Sequence, residues 1–299
     1  MAMATGNFAR LLMPGLNTVW GRETKEHKLE WKELFDKFSD DRNFVEELSV
    51  AGYGLPVIKG EGEAISYDVR RQGYLQRYTH VVYALGFTIT REMFEDDQYD
   101  VIGSSKAKDL SFSMRQGVET VTTNIYNRAF NSTYTFADGK EILATDHPNI
   151  SGGGTFANEL STASDLSEAS LEQACVDIMK YTDDRGLKMA VKPLKLIVPV
   201  DLYPEAEKLL GTEYEVGTAN NTISVVYKKM PLVVNHYLTD ADAWFIRTDQ
   251  PNGLKFFERR ALQFDMDNDW DTENAKFKAS HRYSAGITNV KALFGSPGA

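Results

Sequence analysis

The feature that most constrains the fold is a long stripe of apolar and small residues between positions 107 and 129. Its members are separated by three, four, three, one, three, four and four positions, which is the spacing of one face of an α-helix. At about 1.5 Å per residue such a helix would be roughly 35 Å long. We therefore predict a single long helix across which other elements pack. The members are Ala107, Leu110, Met114, Gly117, Val118, Val121, Ile125 and Ala129.

Two patterns precede this helix. Residues 27–38 carry large apolar side chains at helical spacing, which predicts a short amphipathic helix. Residues 61–90 are rich in Tyr, Val, Ile and Thr and are interrupted by "RQG", which predicts a two-stranded hairpin. Because an isolated hairpin is marginal in water, we expect this one to lie on another surface; an ordinary sheet edge is the alternative. The helical face comprises Trp31, Leu34, Phe35 and Phe38.

The patterns that follow the long helix alternate between helices and strands, which predicts an α+β chain. Residues 167–182 carry the clearest of them, because Ser167 can cap a helix whose apolar residues recur at helical spacing. Its face comprises Leu171, Ala174, Cys175, Ile178 and Tyr181. We also predict a helix over 91–100 capped by Thr90, a hairpin around Asp138-Gly139, strands at 194–200 and within 222–248, a helix at 201–211 and antiparallel strands within 253–294.

The charge balance excludes several classes of function. The 299 residues carry 33 basic and 43 acidic side chains, a net charge of −10. Proteins that read DNA directly usually carry a basic footprint, so we expect no specific binding of nucleic acid. The single cysteine, Cys175, precludes an internal disulfide, and we interpret it as a buried structural thiol. Neither a signal peptide nor an apolar run of about 18 residues is found, so we expect a soluble protein of a reducing cytoplasm with no membrane contact.

One loop has the residue types of an active site. Residues 144–154, "ATDHPNISGGG", set Asp146 beside His147 and end on three glycines. Neighbouring residues in a loop usually point apart, the other histidines show no metal-ligand spacing, and the glycines lack the Gly-Lys-Ser/Thr of a phosphate loop. We therefore interpret "DHP" as a structural surface turn and the glycines as a flexible linker. A metal-assisted hydrolase that uses Asp146, His147 and residues 265–271 is the alternative.

Residues 265–271 imitate a calcium-binding loop without completing it. Aspartates occupy the first three ligand positions, but Trp270 stands where the loop needs glycine and Lys276 where it needs glutamate. In a strand the aspartates would share one face, with Phe264, Met266 and Trp270 on the other. We interpret the segment as a half-buried strand with an acidic outer face, with a loosely bound cation as the alternative. The aspartates are Asp265, Asp267, Asp269 and Asp271.

The order of these elements resembles that of the tailed-phage major capsid proteins, which have the Hong Kong 97-type fold. The Mu-type head subunits are the most similar group. The resemblance implies a structural protein, not an enzyme, with no catalytic, cofactor or metal residues. It is carried by "YALGFTITREMFEDDQYD" before the long helix, "ATDHPNISGGG" followed by "LSEASLEQA", and then "LKLIVPVDLYPEAEKLL", "DADAWFI" and "RYSAGITN".

The resemblance also implies a domain division and a set of contact residues. We expect an N-terminal arm and first helix at 1–50, an extended β-hairpin loop at 51–90, a peripheral domain with the long "spine" helix at 91–160 and 250–299, and an axial α/β domain at 161–249. The extended loop is expected to lie on a neighbouring subunit. Its candidate intersubunit contacts are Arg70, Arg71, Tyr74, Arg77 and Tyr78.

Partners and location follow from the same resemblance. Copies of the chain are expected to form hexamers and pentamers of an icosahedral shell around double-stranded DNA, which an acidic chain would not bind specifically. Some relatives begin with a long internal scaffolding segment; here the spine helix begins by about residue 91, so a separate scaffolding protein is expected beside a portal. Assembly is expected in the host bacterial cytoplasm, and the final location in the virion. An encapsulin-type compartment for protein cargo is the second alternative.

Overall fold

The chain divides into two compact units, each with its own four-stranded sheet. Unit 1 comprises Met1–Phe44, Thr79–Thr122 and Phe256–Ala285, and unit 2 comprises Val45–Tyr78, Thr123–Lys255 and Gly286–Ala299. The computed structural model describes residues 18–23, 28–95, 99–152, 154–214, 223–269 and 271–299. Several predicted segments lie partly outside the described residues: the region of the arm and first helix at 1–17 and 24–27, part of the predicted 91–100 helix, the start of the 222–248 segment, Gly153 and Trp270.

The regular elements have the following bounds. The helices are α1 (Trp31–Leu34), α2 (Arg91–Glu95), α3 (Tyr99–Asn127), α4 (Glu168–Met179) and α5 (Tyr203–Gly211). The strands are β1 (Asp36–Ser39), β2 (Phe44–Ala51), β3 (Arg71–Thr79), β4 (Val81–Ile89), β5 (His147–Pro148), β6 (Thr155–Phe156), β7 (Pro193–Val198), β8 (Leu232–Val234), β9 (Trp244–Thr248), β10 (Leu254–Asn268), β11 (Ala275–Ile287) and β12 (Leu293–Ser296). Residues 18–23 and the short turn Val290–Ala292 are also helical.

The predicted long helix is confirmed as α3, which has 29 residues. The apolar stripe identified much of its buried face, but Gly117 is exposed, and four polar residues that the stripe omits are buried. Thr122 satisfies its hydroxyl within the helix, donating to the Val118 carbonyl oxygen at 2.9 Å. Among the described residues, no helix is both long and apolar enough to cross a membrane. The buried polar residues are Ser111, Glu119, Thr122 and Thr123.

Unit 1 is a sheet in the order β1-β10-β11-β4 with an apolar face against α3. The antiparallel strands β4 and β11 bring Ile89 and Phe277 against Ala107 of the helix. The prediction of a helix over residues 27–38 is right only for the short central segment and wrong for the residues that follow it. α1 covers only Trp31–Leu34, because the chain turns after it into β1, where Phe38 is exposed.

The strand pairing predicted within residues 61–90 is wrong. β3 pairs with β2, β4 pairs with β11, and residues 52–70 form no regular strand. The partner of β4 is selected by its side chains, since Tyr83 stacks on Tyr283 with ring centroids 4.8 Å apart. Cross-strand aromatic pairs of this kind stabilise a sheet. "RQG" therefore begins a strand and does not interrupt one.

Unit 2 holds the sheet β12-β9-β7-β8, on which α4 and α5 pack to form the larger apolar core. The prediction for α4 is confirmed: the Ser167 hydroxyl accepts the Ser170 backbone N–H at 3.2 Å, and all five residues of the predicted face are buried. The strand at 194–200, the helix at 201–211 and the strand-rich tail are confirmed as β7, α5 and β10–β12. The hairpin at Asp138-Gly139 is reduced to a turn in which Gly139 has φ +86°.

Candidate functional site

Residues 52–70 form the most exposed apolar segment of the described chain; from here on we use the name extended loop for these residues alone, which are the part of the expected loop at 51–90 that joins β2 to β3. They join β2 to β3, and seven large apolar side chains in them are between 57% and 100% exposed. Soluble monomers rarely leave such a contiguous apolar surface uncovered, and a patch of this kind marks an interaction site. The seven residues are Tyr53, Leu55, Val57, Ile58, Ile65, Tyr67 and Val69.

The β2–β3 hairpin that carries this loop is fixed at its base within unit 2. Arg77 pairs with Glu46 across the hairpin at 3.4 Å. The Tyr78 hydroxyl lies 2.6 Å from the Thr288 hydroxyl, and its ring fills the space left by the missing side chain of Gly286. Burial raises the pKa of Tyr78 far above its usual range. The base of the hairpin is therefore part of the folded core of this unit.

The part of β3 next to the extended loop rests on β5 and on the turn that follows it. Arg71 donates to the Ser151 carbonyl oxygen at 3.0 Å, and the Tyr74 hydroxyl donates to the Pro148 carbonyl oxygen at 3.3 Å. Further along, the Arg70 guanidinium lies 5.6 Å from the centre of the Tyr53 ring, within reach of a cation–π contact. These contacts orient the hairpin and leave the apolar side chains of the loop uncovered.

The five predicted contact residues thus differ in what they can offer a partner. Arg70, Arg71 and Arg77 are exposed, and Tyr74 is half-buried. Tyr78 is 3% exposed and already packed within its own unit, so the expectation that it faces a neighbour needs correction. The sequence pattern did not separate Tyr78 from Tyr74, because both lie on one strand and only the packing at Gly286 distinguishes them.

Asp146 and His147 point to different partners and do not form a catalytic pair. Asp146 is exposed and pairs with Lys140 at 2.5 Å. His147 is completely buried, with Nδ1 2.6 Å from Asp138 Oδ2 and Nε2 3.1 Å from Asn158 Oδ1. Both ring nitrogens are therefore occupied. The expected surface turn is right for Asp146 and wrong for His147.

Asn158 is the residue that holds this buried cluster in place. Its amide nitrogen donates to the carbonyl oxygens of Ile142 and Val290 at 2.8 and 3.0 Å. Its amide oxygen therefore faces His147 and the Ala144 N–H. The cluster joins three chain segments, which is a structural role. Sequence inspection missed Asp138 and Asn158 because neither lies next to His147 in the chain.

The acidic strand agrees with its interpretation over the part that the structure describes. On β10, Asp265 and Asp267 are exposed while Phe264 and Met266 pack into the apolar cluster under the sheet. Asp269 pairs with Lys276 at 2.6 Å, and this contact lowers the pKa of the carboxyl. In the described ranges, no group of three His, Cys, Asp or Glu side chains is placed to hold a metal ion.

A cavity of about 460 Å³ lies in unit 2 between the base of the hairpin and the turn at 250–252. Its two lysines are paired within the unit, Lys255 with Glu47 at 2.5 Å and Lys291 with Asp184 at 3.3 Å. Ion pairs of this kind satisfy the buried charges and leave neither lysine as a ready anchor for a ligand.

The fold is that of solved protein shells. The virus-like particle of Pyrococcus furiosus matches with a TM-score of 0.55 and 11% identity, over 95% of this chain and 98% of that one. The capsid of an empty GTA particle matches with a TM-score of 0.56 and 14% identity, over 90% of this chain and 89% of that one. The procapsid of bacteriophage JBD30 matches with a TM-score of 0.54 and 11% identity, over 98% of this chain and 76% of that one. The Hong Kong 97-type fold implied by the sequence is therefore confirmed.

The sequence identifies the family. The phage capsid protein family model matches residues 74–295, so this chain belongs to that family. The major capsid protein of Escherichia phage Mu is 26% identical over 152 residues, which are 50% of this chain and 48% of that protein. The chain thus matches about half the length of this curated relative. The expected Mu-type relationship is confirmed.

Proposed function

We propose that this protein is the major capsid protein of a tailed phage and that its copies assemble into the shell of the virion. Family membership over residues 74–295 and the fold shared with solved capsids support the proposal. The single observation that carries it is the extended loop, whose large apolar side chains are exposed in the isolated chain. Such a surface needs a partner, and in a shell the partner is another copy.

We infer that the extended loop covers a neighbouring subunit. Arg70 supplies exposed charge beside the apolar residues, Arg71 and Tyr74 lie where the loop joins the hairpin, and Arg77 is exposed nearer the base of the hairpin. Aromatic and arginine side chains are enriched at the centres of protein interfaces. The apolar set would form the core of the contact and the arginines its rim.

Further partners and the domain division are proposed from the resemblance alone. They comprise hexamers and pentamers of the chain, a separate scaffolding protein, a portal, and packaged double-stranded DNA that the chain does not bind specifically. Assembly is proposed to occur in the host bacterial cytoplasm. The same proposal includes the division into an N-terminal arm and first helix at 1–50, a β-hairpin loop region at 51–90, a peripheral domain at 91–160 and 250–299, and an axial domain at 161–249.

Neither of the two alternative functions, a metal-assisted hydrolase or an encapsulin-type compartment, is favoured. A hydrolase would need Asp146 and His147 to act on one substrate, but their side chains are engaged by different partners. An encapsulin-type compartment shares the shell fold, so the fold does not separate it from a capsid. The match to the phage capsid family and to the Mu capsid protein favours a capsid. Nucleic acid, not a cargo enzyme, inside particles isolated from infected cells would support the capsid.

The proposal is tested by making the extended loop polar without shortening it. Changing Leu55, Val57 and Ile58 to Ser should abolish shells in sedimentation velocity and leave the thermal stability of the subunit unchanged, because these side chains are already in water. Ile223 and Val225, also exposed and apolar but outside the loop, provide the matched control when changed to Ser. Normal shells from the loop variant would refute the role of the extended loop in assembly, and a wild-type protein that forms no shells would refute the proposed function.

A simple deletion is a poorer test, and the structure shows why. Removing residues 66–84 would take out β3 with the buried Tyr78 and half of β4. Such a chain would lose a ladder partner of β11, so failure to assemble would report misfolding. Replacing residues 55–66 by a short Gly-Ser linker spares both strands.

A further inference from the structure

Arg185 lies on a rigid turn in unit 2. The Gly186 N–H donates to the Asp183 carbonyl oxygen at 2.9 Å, with Gly186 at φ +81°, a conformation that suits glycine. The buried Lys291 ammonium donates to the Thr182 carbonyl oxygen at 3.1 Å and pairs with Asp184 at 3.3 Å. The backbone that carries Arg185 is therefore held from both sides, and its side chain extends from a fixed point.

The Arg185 side chain holds the extended loop by two of its nitrogens. Nη1 pairs with the Asp68 carboxylate, and Nη2 donates to the Val69 carbonyl oxygen at 2.8 Å. The same carboxylate accepts the Gly54 N–H at 2.8 Å, so it joins the entry of the loop to its exit. These contacts lower the pKa of Asp68. We call Arg185, Asp68, Val69 and Gly54 the clamp.

The clamp binds only backbone and carboxylate atoms of the loop. For residues 53–70, the hydrogen bonds that the structure describes to the rest of unit 2 all come from Arg185. The apolar side chains remain exposed on either side of it, including Tyr67 and Val69. The clamp therefore restricts the path of the loop without covering the surface that a partner would bind.

We propose that the Arg185–Asp68 clamp pre-orders the extended loop within its own subunit for docking on a second copy. This inference rests on the proposed function. Ordering a flexible segment before association removes part of the entropic cost of binding. A guanidinium suits this task, because its planar fork presents separate N–H donors to the carboxylate and to the adjacent carbonyl in a fixed geometry, whereas an ammonium is a point charge on a flexible stem. Arg185 and Asp68 are positioning residues for assembly.

The first readout is the order of the loop in unassembled subunits. Trypsin should cut after the exposed Lys59 several-fold faster in Arg185→Gln and Asp68→Asn than in the wild type. Arg185→Lys should give an intermediate rate. The melting temperature should stay unchanged, because exposed ion pairs contribute little to global stability. Lys140→Gln, which removes another exposed ion pair of the same unit, should behave as the wild type.

The second readout is the concentration at which shells form. This concentration should rise several-fold in Arg185→Gln and in Asp68→Asn. In the charge-reversed double variant D68R/R185D it should return to the wild-type value. Equal concentrations of D68R and R185D chains should not rescue each other if the pair forms within one subunit. Rescue in the mixture would show a pair between subunits and overturn the proposal, as would easier assembly or no effect in the single variants.

The two hypotheses fail in different ways. If the wild-type chain forms no shells, the proposed function fails whatever the clamp does. If wild-type shells form and loop cleavage at Lys59 is the same in all variants, only the clamp is refuted.

Discussion

His147→Ala should destabilise the unassembled subunit strongly, whereas Asp146→Asn at the adjacent position should not. His147 is fully buried, and its Nδ1 lies 2.6 Å from the carboxylate of Asp138, which is itself only 2% exposed. Removing the imidazole leaves Asp138 with the Lys140 backbone N–H, at 3.0 Å. It also empties the space beside the Phe156 ring, on which His147 stacks with centroids 4.9 Å apart.

The expected loss of stability in His147→Ala follows from these contacts. Breaking a buried pair by removing one partner costs about 3–5 kcal/mol. We take this range to include the loss of the hydrogen bond between His147 and Asn158. For a chain of this length the melting temperature should fall by about 10 °C. Asp146 is half in water and loses only an exposed pair with Lys140, so Asp146→Asn should stay within about 0.5 kcal/mol of the wild type.

Urea titration followed by circular dichroism, together with thermal unfolding of the unassembled subunit, measures both variants. A double variant, Asp138→Asn with His147→Ala, should lose less than the sum of the two single losses, by about 0.5–3 kcal/mol, since the residues are in contact. A His147→Ala variant within about 1 kcal/mol of Asp146→Asn would refute the buried cluster, because a surface substitution typically changes stability by about 0.5 kcal/mol or less.

Three further predictions concern the hairpin, α3 and DNA. Gly73→Ala should loosen the hairpin at a cost of about 1 kcal/mol, because a Cβ there would lie 2.3 Å from Ile150 Cδ1 and 2.6 Å from Ser49 Oγ, and both side chains would have to shift; unchanged proteolysis of the extended loop would contradict this. Burial raises the pKa of Glu119 on α3 to about 7 from an ordinary value of 4.5. The folded state thus favours the protonated carboxyl, so the contribution of this group to stability is full below pH 4.5 and is lost as the pH rises to about 7. Glu119→Gln should flatten that part of the profile of melting temperature against pH, and a slope equal to that of the wild type would contradict the assignment. Purified subunits should not retain duplex DNA at about 150 mM salt; micromolar, salt-sensitive binding would overturn the charge argument.

The elements that could be predicted from the sequence are those whose signals are local. The stripe that became α3 and the capped helix α4 each show their periodicity and end signals within one segment. Strand pairing is not local in this chain. β4 finds its partner in β11, about two hundred positions away, through stacked pairs such as Tyr83 with Tyr283. A two-stranded interpretation of residues 61–90 could not include that partner.

The exposed loop and the surroundings of His147 could be predicted only in part, because their contacts are also not local in the sequence. The hairpin was predicted at residues 61–90 within an expected extended loop at 51–90, and the most exposed apolar residues lie on both sides of residue 61, as Ile58 and Tyr67 show. His147 was assigned to the surface because it adjoins Asp146, but its partners lie nine and eleven positions away. Adjacency in the chain does not show which of two residues points into the core.

The central claim is that copies of this chain build a shell, and negative-stain electron microscopy of the purified wild-type protein tests it most directly. We expect closed particles, or rings of five and six subunits, that disappear when Leu55, Val57 and Ile58 are changed to Ser. Shells that persist in this variant would contradict the role of the loop. A wild-type protein that remains a small oligomer, with a hydrolytic activity that Asp146→Asn removes, would contradict the claim itself.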